Sequence, residues 1–181
     1  MPAPDLRVHL LRAVNVGGAT LPMAELRGIA TELGASRVST YIASGNLLCV
    51  PPGEGPDAWA DFDRALERTV EERFGFFREV VSRSRDEVVA ALEAHPFEVP
   101  EPKLSHVYFL LAAPTADAAR AFEDADWGAD RVRVIGRDLH VAYGDGVAGT
   151  RITPARVKKL LGHHGTGRNV LTVAKLVELA S

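Results

Sequence analysis

The side chains best able to do chemistry sit in three short passages of the chain. The first, Leu10-Leu11-Arg12-Ala13-Val14-Asn15-Val16-Gly17-Gly18, sets a guanidinium, a carboxamide and two glycines on a strand-to-helix connection. Glycines there let backbone N–H groups approach an anion, and a helix N-terminus adds partial positive charge. The passage has neither glycine-rich nucleotide fingerprint, and a tight turn needing φ > 0 explains Gly17 and Gly18 without a ligand. Arg12 falls on the strand face of Val8 and Leu10, where a guanidinium must point into a polar pocket, pair with a carboxylate or mark the edge of the sheet, as a structural ion pair or as a ligand-binding group. The second passage, Ser44-Gly45-Asn46, offers a hydroxyl and a carboxamide at a bend, for which turn chemistry is the simpler account. The third, Gly165-Thr166-Gly167-Arg168-Asn169, precedes the last helix and either caps it or binds an anion with its forked donor and amide.

Other reactive residue types lack productive spacing. His163 and His164 are adjacent and diverge, and no His-x-x-x-His or Cys-x-x-Cys pair exists, so no metal is implied. Ser105 and His106 point to opposite faces of a strand and cannot act as nucleophile and base. Cys49 lies in the apolar run Leu47-Leu48-Cys49-Val50 and reads as a core residue. Glu67, Glu71 and Glu72 belong to a charged helix face, and no paired acids stand ready for acid–base work. Asp145-Gly146 lacks calcium-loop spacing. No catalytic residue emerges.

Composition narrows the classes. A chain of 181 residues with 46% hydrophobic and 25% charged residues matches an ordinary globular protein. One cysteine cannot form an internal disulfide, which suits a reducing, cytoplasmic setting. The start, Met1-Pro2-Ala3-Pro4-Asp5, has no basic leader, and no apolar run approaches a membrane span. The formal charge of −3 argues against a whole-protein nucleic-acid binder. The charge is uneven, because residues 151–181 carry a net +5 on a remainder of −8. That basic stretch either holds an anionic partner or docks against the acidic part.

The elements that must position these residues follow from periodicity. A strand over 6–14, a helix from near Pro22 to Gly34, and a hairpin of 38–42 and 47–50 come first. Asp57 caps a helix ended by Gly75, a strand covers 76–81, and Ser84-Arg85-Asp86-Glu87 is a capping box. The order β-α-β-β-α-β is that of a ferredoxin-like unit. After the Pro-rich link at 95–102, a strand at 106–112, a helix capped by Thr115, a hairpin around Gly136-Arg137-Asp138, and a helix from Thr153-Pro154 to Gly162 repeat most of it. The expectation is an α+β chain of two ferredoxin-like subdomains, 1–98 and 99–181, the second incomplete and bearing extra C-terminal helices. An RNA-recognition-type platform is disfavoured, because Val8-His9-Leu10-Leu11 and Leu47-Leu48-Cys49-Val50 offer no stacking aromatics.

Those passages, together with Met23-Ala24-Glu25-Leu26, Thr40-Tyr41-Ile42-Ala43 and Asn169-Val170-Leu171-Thr172-Val173, resemble the bacterial family catalogued as domain of unknown function sixteen-ninety-seven. The resemblance covers nearly the whole chain and implies two ferredoxin-like subdomains, with no established activity, cofactor or catalytic residue. Arg12, Asn15, Gly17, Gly18, Ser44, Gly45, Asn46, Arg168 and Asn169 match its signature. Val170 stands where the family usually has Trp, and Thr150-Arg151 where it has Ser-Lys. The leading expectation is a cleft for a small anionic or nucleotide-like ligand, with Arg12 and Arg168 on the anion and Asn15, Ser44, Asn46 and Asn169 orienting it beside Gly17 and Gly18. The alternatives are a group-transfer enzyme using the same cleft, or a protein- or nucleic-acid-binding module using the basic segment.

Overall fold

The computed structural model describes residues 5–181, so the start Met1-Pro2-Ala3-Pro4, and the expectation read from it, lie outside the described residues. The chain divides into two compact units, one running to Val88 and adding Leu176–Ser181, the other Val89–Lys175. Both boundaries fall inside helices, α3 (Arg85–Glu93) and α6 (Val170–Leu179).

The first unit contains β1 (Arg7–Leu11), α1 (Met23–Glu32), β2 (Ser36–Tyr41), β3 (Asn46–Val50), α2 (Pro56–Phe74) and β4 (Val80–Ser84). The antiparallel strands lie in the order β2-β3-β1-β4, the ferredoxin-like arrangement. One face sets Leu11, Leu47, Cys49 and Val80 against Leu26 and Ile29 of α1 and Phe62, Leu66 and Val70 of α2. Each fully buried Leu or Ile there contributes about 1.5–3 kcal/mol. Val8, Leu10 and Leu48, on the other face, are buried as well.

Several boundaries differ from the sequence reading for local reasons. β1 stops at Leu11, so Arg12 and Val14 belong to the following loop rather than to the strand face. Gly55, not Asp57, is the N-cap of α2, with Pro56 at the first helical position, where its missing N–H costs nothing. Asp57 instead faces the positive end of the helix from within its first turn. Gly75 closes α2 in the left-handed region at φ 76°. β4 begins at Val80 instead of residue 76, because residues 78 and 79 bind the β1–α1 loop. The capping box forms, with Ser84 N donating to Glu87 Oε2 at 2.8 Å and Glu87 N to Ser84 Oγ at 3.2 Å.

The second unit holds β5 (Ser105–Leu110), α4 (Ala116–Glu123), β6 (Arg131–Ile135), β7 (Asp138–Ala142), α5 (Pro154–Leu161) and β8 (Gly165–Asn169). Thr115 and Thr153 cap α4 and α5 by accepting from Ala118 N and Arg156 N. The sheet order is β6-β7-β5-β8, the same arrangement as before, so this half is complete rather than lacking a strand. Gly165-Thr166-Gly167-Arg168-Asn169 does not read as a strand because its partner dictates its composition. A Cβ on Gly165 would lie 2.7 Å from Leu110 Cδ2, and one on Gly167 2.7 Å from Tyr108 Cε1. The large side chains of β5 thus occupy the space above β8. Phe122, Trp127, Val157 and Leu161 close this core over Leu110, Leu139 and Val141. Among the described residues no helix is long and apolar enough to cross a membrane.

Candidate functional site

Three loops meet side by side at one end of the first sheet: the β2–β3 turn, the β1–α1 loop and the α2–β4 loop. Their order follows from the strand order, because β1 lies between β3 and β4. Leu11 N donates to Gly45 O at 2.9 Å on one side, and Arg12 N to Glu79 O at 3.0 Å on the other. The central loop is pinned by Asn15, whose Oδ1 accepts from Leu21 N at 2.8 Å and whose Nδ2 donates to Leu21 O at 2.9 Å and Ala43 O at 2.5 Å. Asn15 therefore ties the loop to itself and to the neighbouring turn.

The same accounting separates the remaining signature residues of this unit. Asn46 is fully buried and its Nδ2 donates to Tyr41 O at 2.9 Å and Ser44 Oγ at 3.0 Å, closing the hairpin. Gly45, at φ 86°, lets the turn press on the central loop, where a Cβ would lie 2.6 Å from Val14 Cγ2. Arg12 Nε donates to Glu79 Oε2 at 2.5 Å, so its carboxylate partner exists, and its two Nη groups have no partner among the described residues. Gly17 and Gly18 are left-handed, at φ 59° and 88°, with open space where their Cβ atoms would be. The successive amides of Val16, Gly17 and Gly18 have no acceptor among the described residues, and the three residues are exposed. Successive amides in such a loop form a concavity with positive potential.

This end of the sheet also concentrates backbone strain. Ala13, Asn15 and Ile42 adopt φ of 50°, 57° and 47°. Asn tolerates that region, but a β-branched isoleucine does so rarely. Arg78 braces the cluster, donating from Nε to Ala13 O at 3.1 Å and from Nη1 to Phe77 O at 2.7 Å. The sequence reading missed Glu79, Arg78 and Ile42. The pairing of Leu11 with Val80 places residue 79 beside residue 12, so the β1–β4 adjacency of the ferredoxin-like order held that signal.

Arg168 and Asn169 belong to the second unit, on β8. Arg168 is buried, donates from Nη1 to Thr166 Oγ1 at 2.7 Å and Gly167 O at 2.9 Å, and burial lowers its pKa to about 10. Asn169 Oδ1 accepts from Thr172 N at 2.9 Å and caps α6. Burial, then the charge of Arg168, pulls His106 down to about 4. His140 is also lowered to about 4 by burial and by His95, whose Nδ1 lies 3.1 Å from its own. The basic stretch is largely engaged inside this unit. Arg151 meets Asp126 at 2.5 Å, Arg156 lies 4.2 Å over the Trp127 ring, and Lys158 donates to Gly162 O at 2.9 Å.

Cys49 is buried, and desolvation followed by the charge of Asp63 pushes its thiol up to about 12, which leaves it inert. Asp63 itself bridges His9 Nδ1 at 2.7 Å and Ser82 Oγ at 2.6 Å beneath α2. Here the carboxylate sits between hydroxyl and imidazole, so the imidazole cannot take the hydroxyl proton as a nucleophile requires.

Comparison with known proteins agrees with this architecture. A solved structure of a conserved bacterial protein from Streptococcus pneumoniae superimposes with a TM-score of 0.70 at 22% identity, covering 98% of this chain and 99% of that one. At that identity the likeness establishes the fold. A search of curated proteins returns no match. The family model described as protein of unknown function, DUF1697, matches residues 6–140, which include β1 and the whole three-loop cluster. The chain belongs to the DUF1697 family.

Proposed function

We propose that the chain binds a small anionic ligand at the β1–α1 loop of its first unit. The observation that carries this reading is the run of three unpaired amides at the exposed residues Val16, Gly17 and Gly18, on the same loop as an arginine whose Nη groups have no partner among the described residues. Glu79 holds the Arg12 guanidinium by Nε, which fixes its orientation before a ligand arrives and reduces the ordering cost of binding. Asn15 and Gly45 act indirectly, by holding the loop in the conformation that presents the amides. Asn46 and Ser44 secure the adjacent turn. The reading rests on the first unit alone.

The test is calorimetric titration of the protein with inorganic phosphate and with adenosine monophosphate, in wild type and in Arg12→Gln. Hydrogen bonds to charged groups contribute about 1.5–3 kcal/mol, so the variant should bind roughly 10- to 100-fold more weakly while remaining folded. Equal affinity in the two proteins, or no heat of binding in wild type, overturns the reading.

A further inference from the structure

We infer that the ligand of this loop is an organic anion with a charged head and an apolar body, rather than a bare inorganic ion; the inference rests on the anion reading above. The loop cluster exposes apolar side chains. Val16, which carries the first unpaired amide, is 59% exposed, and Ile42 on the adjoining turn is 51% exposed. The two are close along the hydrogen-bond network, because Asn15 Nδ2 donates to Ala43 O, joining the residue before Val16 to the residue after Ile42. On the opposite flank Phe77 is 43% exposed beside Arg78.

Ile42 makes the stronger case. It sits at φ 47° in a hairpin turn, where Asn or Gly would fit without strain, and it gains little burial there. A strained β-branched residue presented to solvent at this position satisfies neither turn chemistry nor core packing. Strain of this kind persists where the neighbouring structure over-determines it, and it clusters at ligand clamps. The open space over Gly17 and Gly18 admits a charged head, while Val16 and Ile42 provide apolar surface for what is attached to it. Hydrogen-bond complementarity selects an acceptor-rich head, since the Nη groups of Arg12, whose charge is shared with Glu79, and the three amides are all donors.

The experiment measures the affinity of inorganic phosphate and of phenyl phosphate at pH 8, where both are largely dianions, for wild type, Ile42→Asn, Val16→Ser and the double variant. All three variants keep the amides and Arg12, and Asn accepts the left-handed conformation at position 42. The expected result is phenyl phosphate at least tenfold tighter than phosphate in wild type, with that advantage falling below threefold in the double variant and phosphate itself changing less than twofold. Phosphate and phenyl phosphate binding equally to wild type overturns the inference and leaves the anion site standing. A phenyl phosphate advantage that survives in the double variant also overturns it, because the apolar contact then lies elsewhere. Failure of both ligands to bind wild type overturns the anion reading itself, and the inference with it.

Discussion

At the residue scale, the signature positions of the first unit divide into those that hold the loops and those with donors to spare. Asn15, Asn46 and Gly45 have their hydrogen bonds and close contacts inside the cluster, whereas Gly17 and Gly18 are exposed and the Nη groups of Arg12 have no partner among the described residues. Ile42 belongs to neither set, and its strain should be measurable. Replacing it with Asn should stabilise the protein by about 1 kcal/mol, because left-handed strain is relieved and little burial is lost. A higher urea midpoint at unchanged slope would bear this out, and a lower one would mean that the side chain is packed. Much of the cluster was legible in the sequence, since glycine and asparagine at turns announce special backbone conformations. The partner of Arg12 was not legible, because an ion pair across 67 positions is set by strand order and not by local pattern.

At the element scale, amphipathic patterns and turn residues led to the right helices, to the capping box at 84–87 and to both hairpins. The one strand they hid is β8, where two glycines and three polar residues show no apolar alternation. Its composition answers to β5: Tyr108 and Leu110 overlie Gly167 and Gly165. Gly167→Ala should therefore destabilise the second unit by about 1–3 kcal/mol through overpacking against the Tyr108 ring. The shift would disturb the 2.6 Å hydrogen bond between the Tyr108 and Tyr143 hydroxyls, so a urea titration followed by tyrosine absorbance would report both effects.

At the scale of the whole molecule, the buried histidines set the response to acid. Burial lowers His106 and His140 to about 4 and lowers His95 in the same direction. Below pH 6.5 the unfolded chain takes up protons that the native state refuses, so stability is full above that value and falls as pH drops toward 4. His140 alone accounts for a loss on the order of 3 kcal/mol across that window. Glu67 opposes part of this trend, since burial raises its carboxyl above the usual value and the native state takes up that proton more readily than the unfolded chain. Urea midpoints from pH 7.5 down to 4.5 should fall steadily, and His140→Asn should flatten the curve.

The membership of residues 176–181 in the first unit has a consequence for biosynthesis. Leu176 and Ala180 are buried, and Ser181 accepts a hydrogen bond from Arg85 Nε at 3.2 Å. The nascent chain therefore makes the body of the first unit, then all of the second, before it supplies the piece that finishes the first. At about 5–20 residues per second, that interval lasts roughly 5 to 20 seconds on the ribosome. For that time the earlier unit is translated but unfinished, with the surface later covered by Leu176 open to chaperones or to premature association.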